Sequence, residues 1–92
     1  MSNVPELGGW SEWSSDFTKE ANDVFSETVV PLIGVKYMPL AFATQLVSGM
    51  NYCFSCKAEI VIPDPPLQYC LIYIYAPLQG KPYIKEIKSI EP

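Results

Sequence analysis

The 92-residue sequence contains no histidine and no arginine. Without histidine, the chain lacks the usual general base near neutral pH, the Ser-His and Cys-His nucleophile pairs, and the commonest metal ligand. Its aspartates and glutamates form no pair at a spacing that suggests acid–base catalysis. The sequence therefore predicts a protein that is not an enzyme and that needs no cofactor.

The positive charges are few as well. Six lysines stand against ten acidic residues, which gives a net charge of −4. Nucleic-acid surfaces rely on clusters of arginine and lysine, so we expect no nucleic-acid partner. Six of the ten acids fall in residues 1–32 against the single Lys19, and this part of the chain should repel anionic partners.

Long apolar runs are also absent. No run approaches the roughly 20 residues that span a bilayer, so we expect no membrane partner. Residues 1–15 lack the basic start and apolar centre of a signal peptide and carry Glu6 and Glu12 instead. Three cysteines are an odd number, which argues against a closed disulfide framework and fits a reducing compartment. These features predict a cytoplasmic protein.

Two of the cysteines form a C-x-x-C motif, Cys53 to Cys56. The motif lies in a segment predicted to be a strand, where residues three apart point to opposite faces. The two thiols would then not share one metal ion, and no helix N-terminus is available for a redox motif. We interpret both, and Cys70, as packed reduced thiols, and we expect no metal site.

The first half of the chain predicts an extended arm followed by a helix. Pro5 and the glycine pair break regular structure in residues 1–13. Ser14, Ser15 or Asp16 could cap a helix of about four turns, which Pro31 and Gly34 would end. Apolar residues at three- and four-residue steps give it one buried stripe: Phe17, Ala21, Val24, Phe25, Thr28, Val29 and Leu32.

The second half alternates with the period of two that is typical of strands. Along the first such segment, from Val35, the inward positions are expected to be Met38, Leu40, Phe42 and Leu46. Even-numbered positions of residues 50–62 are apolar, Tyr69–Tyr75 is apolar on both faces, and Ile84–Ile90 fits neither period well. The sequence thus predicts a single α+β domain, residues 1–92, with one long helix packed across an antiparallel sheet of four to five strands.

One loop in this plan has an unusual composition. Gln45 to Gly49 lies between two predicted strands and should form a hairpin turn. Leu46 and Val47 would be apolar side chains at a loop tip, where they stay in water unless a partner covers them. Taken alone, Gly8-Gly9 reads as a flexible linker and Pro77 to Gly80 as a plain turn.

Together, these segments resemble the pattern of the cystatins, which inhibit papain-like cysteine proteases. That pattern is a glycine near the N-terminus, then Gln-x-Val-x-Gly, then a second hairpin near the C-terminus. The resemblance is closest to the stefin branch, which is short and free of disulfides, and it covers about residues 5–84. It implies a curved sheet that wraps a long helix. The stretch between the glycine pair and Gln45 is several residues shorter than in stefins, which suggests a trimmed helix or connection.

The resemblance also implies a function and a site. Three segments at one edge would form a wedge that enters the cleft of a papain-like (cathepsin-type) protease, as a reversible, tight-binding, noncovalent inhibitor. Leu7 would be the apolar anchor of the arm, with Gly8 rather than Gly9 as its hinge. Val47 and Gly49 should matter for inhibition and little for folding. The implied protease-binding residues are Leu7, Gly8, Gly9, Gln45, Leu46, Val47, Ser48, Gly49, Pro77, Leu78, Gln79 and Gly80.

Two questions stay open at this stage. The alternative function is a non-inhibitory module of the same fold that binds a protein or a small ligand and keeps the loop only as a turn. The expected state is a monomer. A dimer that exchanges the helix and first strands is the alternative, since the family can open its first hairpin in this way.

Overall fold

A computed structural model describes residues 8–90 of the chain. It contains one helix and four strands, which form a single antiparallel sheet in the order β1-β2-β3-β4. The predicted α+β class is therefore confirmed, and the sheet has four strands, the lower number of the four to five predicted. The elements are α1 Lys19–Thr28, β1 Val35–Val47, β2 Gly49–Ile60, β3 Gln68–Ala76 and β4 Tyr83–Ile90.

The core lies between α1 and one face of the sheet. Ala21 and Phe25 of the helix are buried, as the apolar stripe predicted. The Phe25 ring meets that of Phe54 edge-on, with centroids 5.1 Å apart. Ile72 and Ile74 from β3 are completely buried beside them. This packing removes apolar surface from water and is the main stabilising contribution in a domain of this size.

The helix is shorter than the apolar stripe predicted. It has ten residues, under three turns, and its N-cap is Thr18, whose hydroxyl accepts a hydrogen bond from the Ala21 amide at 3.1 Å. Its C-cap is Val29. The early end has a local cause: Pro31 disfavours helical geometry at Val30, and two β-branched valines precede it. The expectation of a long, four-turn helix was wrong.

A bulge in β1 changes which side chains of this strand face the core, so the predicted inward positions are partly wrong. Pro39 pairs with Cys56 and Ala41 with Ser55, so Leu40 is an extra residue between them. Proline, which cannot donate to a sheet ladder, is tolerated at such bulges. Before the bulge, Val35 and Tyr37 pack against the core. Met38 and Leu40, predicted to point inward, are 48% and 43% exposed.

A second bulge explains the irregular period of β4. Ile84 pairs with Ile74 and Glu86 with Tyr73, so Lys85 is the extra residue. The extra residue shifts the alternation of β4 by one position. The next side chain on the face of Ile84 is therefore that of Ile87, which pairs with Ile72.

The described chain before the helix, residues 8–18, pairs with β1 at two isolated bridges and forms no strand of its own. Ser14 and Phe42 exchange two backbone hydrogen bonds of 2.9 Å, and Trp10 forms a bridge with Gln45. The tight β1–β2 turn and the β3–β4 connection lie at the same end of the sheet, since Met50 pairs with Ala76. Within residues 8–90, the structure has no helix long and apolar enough to cross a membrane.

Candidate functional site

The first predicted loop is the turn between β1 and β2. Val47 pairs with Gly49, which leaves Ser48 alone at the tip. The hydroxyl of Tyr75, on the neighbouring β3, donates a hydrogen bond to the Ser48 carbonyl. This bond links the tip of the turn to the neighbouring strand.

Gln45 joins three parts of the chain. Its side-chain nitrogen donates to the Gly8 carbonyl at 2.8 Å, and its side-chain oxygen accepts from the Asn51 amide at 2.8 Å. The Gln45 side chain thus ties the arm to β1 and β2. The side-chain oxygen of Asn51, Oδ1, is buried and has no hydrogen-bond partner among residues 8–90. Such an unpaired buried group lowers the free energy of unfolding by about 1–3 kcal/mol.

Gly49 is where the first loop meets the second. It has φ +104°, which side chains rarely adopt, and it is buried. A Cβ at this position would lie 2.5 Å from the Ala76 carbonyl oxygen and 3.1 Å from Pro77 Cα. Only glycine lets the two connections approach this closely, so Gly49 serves folding as well as any binding role. The expectation that it matters little for folding is not supported by this packing.

The arm reaches the same edge through Gly8. Its amide donates to the Leu46 carbonyl at 3.0 Å, and its φ is +86°. Gly9 does not adopt positive φ, so of the two glycines only Gly8 has a backbone conformation that favours glycine, and its role as a hinge stays a prediction. A Cβ on Gly8 would meet nothing within 4 Å. Leu7, the predicted apolar anchor, lies outside the described residues.

The arm is held in place by a tryptophan that the sequence reasoning did not assign. The Trp10 ring meets the Tyr73 ring edge-on at 6.1 Å, on the sheet face away from α1. Together with Trp13, Ala43 and Cys53 these rings line a small pocket of about 210 Å³. The two tryptophans of the short arm could have predicted this contact from the sequence, because large aromatic side chains in an otherwise polar segment need an apolar surface to pack on.

These contacts bring the described parts of the three predicted segments to one end of the sheet. We call this surface the loop edge: Gly8–Gly9, Gln45–Gly49 and Pro77–Gly80. It carries no ionisable side chain. Leu78 is 80% exposed and Leu46 40% exposed, while Val47 is half-buried. The loop edge is thus a neutral, partly apolar surface with a fixed backbone.

The C-x-x-C cysteines lie inside β2, away from the loop edge. Cys53 and Cys56 are both buried, and Cys70 in β3 is buried as well. Burial raises the pKa of the Cys53 thiol, partly offset by a hydrogen bond with Tyr73. The part of the chain that the structure describes holds no group of three or more side chains able to bind a metal ion.

At the other end of the sheet, an open cleft of about 610 Å³ lies on the helix side, where the short helix leaves the strands uncovered. Its lining includes Val35, Ala58, Ile60 and Ile87, and Tyr37 is among the lining residues with polar groups. Burial raises the pKa of Tyr37, as do the nearby thiols of Cys70 and Cys56. All the lining side chains are uncharged.

Comparison with known proteins adds no relative: no family model matches the sequence, and no curated protein matches it either.

Proposed function

We propose that this protein is a reversible inhibitor of papain-like cysteine proteases, with a cystatin-like fold of the stefin type. The observation that carries the proposal is the loop edge itself. The Gly8 amide is bonded to the Leu46 carbonyl, and Gly49 packs against Ala76 and Pro77. Segments that are far apart in the sequence thus form one continuous surface, in the order that the cystatin pattern requires.

The chemistry of the loop edge suits a cleft-filling inhibitor. Leu46, Val47 and Leu78 offer apolar side chains, and the loop edge brings no charge that would have to be desolvated. No covalent step is involved, since the loop edge has no nucleophile stronger than the Ser48 hydroxyl. A wedge of this kind would cover the protease's catalytic cysteine without placing a peptide bond in position for cleavage.

Preorganisation supports tight binding. Association costs free energy for every loop and side chain that becomes ordered, so a loop edge that is already ordered loses less. Here the Tyr75 hydroxyl fixes the Ser48 tip, and the Gln45 side chain fixes the arm. A few central apolar contacts can then supply most of the affinity.

The proposal also covers the compartment, the oligomeric state and the target enzymes. The protein would act in the cytoplasm, as a monomer, on cathepsin-type enzymes. Three buried thiols are compatible with a reducing compartment.

The test is titration of active papain with the protein, with hydrolysis of a fluorogenic substrate as the readout. We expect inhibition at nanomolar concentration by the wild type. Val47→Asp should weaken it by at least tenfold, because a carboxylate next to the tip must be desolvated in the cleft. Val61→Asp is the matched control, since Val61 is 72% exposed in the β2–β3 loop at the opposite end.

The outcomes separate the explanations. Wild-type inhibition that is lost in Val47→Asp and kept in Val61→Asp supports the loop edge as the binding surface. Equal loss in both variants, or no inhibition of papain and related enzymes by a folded protein at micromolar concentration, would reject the proposal. Circular dichroism of each variant checks that the protein is folded.

A second candidate function is supported by the apolar cleft. Its volume of about 610 Å³ falls within the range of small-molecule sites, and its uncharged lining suits a neutral apolar ligand. The neutral fluorescent probe N-phenyl-1-naphthylamine tests this function. Binding that is abolished by Ile87→Asp in the cleft wall and kept in Leu78→Asp on the loop edge would support it. The absence of any fluorescence increase would dismiss it.

A further inference from the structure

Cys56 and Cys70 are direct neighbours across two strands. Cys56 in β2 pairs with Cys70 in β3, and both side chains face the helix. Cys56 is completely buried and Cys70 is 4% exposed. The C-x-x-C spacing draws attention to Cys53 and Cys56, whereas the strand register joins Cys56 to Cys70.

The spacing of such a pair suits a disulfide. Residues directly opposite each other in an antiparallel pair have Cα atoms about 4.5–5.5 Å apart, and disulfides span about 4.4–6.8 Å between Cα atoms. Both thiols belong to the same buried core cluster, where the Cys56 thiol donates a hydrogen bond to the Phe54 carbonyl at 3.8 Å. Cys53 pairs with Tyr73 and, three residues from Cys56, faces the opposite side of the sheet.

We propose that Cys56 and Cys70 form an intramolecular disulfide between β2 and β3 when the chain folds in the presence of a low-molecular-weight disulfide, and that Cys53 stays a free thiol. The inference is independent of the proposed inhibitory function.

The chemistry is thiol–disulfide exchange, with glutathione disulfide as the oxidant. One cysteine thiolate attacks glutathione disulfide, forms a mixed disulfide and releases one glutathione thiolate. The second cysteine thiolate then attacks the protein sulfur of that mixed disulfide and releases a second glutathione. Two protein thiols are oxidised, one glutathione disulfide is reduced to two glutathione molecules, and the thiol protons leave to solvent or glutathione.

The folded protein should resist this reaction. Burial, together with the neighbouring thiols of Cys70 and Cys53, raises the pKa of Cys56 to about 12. At pH 7.5 the thiolate fraction of such a group is far smaller than that of a cysteine in an unfolded chain. The side chain is also out of reach of glutathione. Oxidation should therefore occur on the unfolded or locally opened chain, and refolding should bury the disulfide.

The linkage should not disturb the loop edge. The loop end of the β2–β3 pair is marked by Met50 opposite Ala76, six residues along β2 from Cys56. Six strand residues span roughly 20 Å. The oxidised and reduced forms should therefore inhibit papain equally well, if the loop edge is the inhibitory surface.

The experiment compares two samples of wild-type protein in one glutathione redox buffer at pH 7.5. One sample is refolded from urea into the buffer, and the other is added already folded and reduced. Both are then unfolded in urea with excess alkylating agent, and intact masses and peptide maps are recorded. We expect the refolded sample to lose two hydrogens, to link Cys56 to Cys70 and to alkylate only Cys53. The folded sample should keep three alkylatable thiols over the same period.

Two variants sharpen the assignment. Cys53→Ser should still form the linkage, and Cys70→Ser should not. If Cys70→Ser fails to fold, the peptide map of Cys53→Ser still identifies the linked pair. The oxidised wild type should also melt at a higher temperature than the reduced form.

The contradictory results are distinct. A linkage that includes Cys53, glutathione adducts as the final product, or no linkage in the refolded sample would overturn the assignment of the pair. Equally fast oxidation of the folded sample would overturn the claim that the chain must unfold or open locally before the two cysteines are oxidised.

Discussion

Replacing Gly49 with alanine tests how closely the two loops of the loop edge pack. The residue has φ +104°, and the added Cβ would stand 2.5 Å from the Ala76 carbonyl oxygen. Of the three nearest atoms, Ala76 O and Pro77 Cα are backbone atoms that cannot rotate away, and the third is the Tyr75 hydroxyl at 3.1 Å. The substitution therefore adds two separate costs, one from backbone strain and one from overpacking.

The magnitudes follow from each cost. Left-handed backbone at a non-glycine residue costs about 1–2 kcal/mol. Forcing an extra methyl group into a packed site costs about 1–3 kcal/mol. Gly49→Ala should thus lower the free energy of unfolding by about 2–5 kcal/mol, a large part of the total stability of a small domain.

Gly34→Ala is the matched control. Gly34 has φ +95°, and a Cβ there would meet nothing within 4 Å, so the control carries only the strain cost. Urea unfolding followed by circular dichroism measures both variants. We expect Gly49→Ala to be less stable than Gly34→Ala by about 1–3 kcal/mol, the overpacking cost alone. Equal destabilisation would show that the two loops do not pack as described.

Three further predictions concern other parts of the account. Tyr75→Phe removes the hydrogen bond to Ser48 and should lower the free energy of unfolding by about 0.5–1.5 kcal/mol. It should also increase the rate of dissociation from papain, measured by stopped-flow fluorescence, and an unchanged rate would contradict the role of this bond in ordering the tip. Trp10→Ala removes the contact with Tyr73 and should speed hydrogen exchange at the Ser11 amide, which donates to β1; unchanged exchange would show that the ring does not hold the arm. Because burial raises the pKa of Cys56 from 9.0 to about 12, its contribution to stability is present below pH 9 and is lost as the pH rises toward 12. The stability difference between wild type and Cys56→Ala in urea should fall by up to about 1.4 kcal/mol per pH unit in that window, and a flat difference would contradict the buried neutral thiol.

Local patterns in the sequence predicted the order of the helix and strands and several of their buried positions, but not the length of the helix or the phase of β1. The helical stripe identified Ala21, Val24 and Phe25 as buried, and strict alternation identified the inward positions of β2. Both signals are local, because each depends only on the spacing of apolar residues within one element.

The features that were missed depend on partners elsewhere in the fold. The extra residues Leu40 and Lys85 become bulges only in relation to the strands beside them. Likewise, the sequence pointed to Gly49 as a turn residue but gave no sign of its contact with Ala76, which arises from the β2–β3 register. Single-sequence reasoning therefore located the segments of the loop edge but not the contacts that fix them together.

The most direct test of the central claim is a hydrogen-exchange footprint of the protein in complex with papain. The account predicts slower exchange in peptides that contain Gly8–Gly9, Gln45–Gly49 and Pro77–Gly80. It predicts no change in the β2–β3 loop, residues 61–67, at the opposite end. Protection confined to that loop, or no protection at saturating papain, would contradict the loop edge as a protease-binding surface.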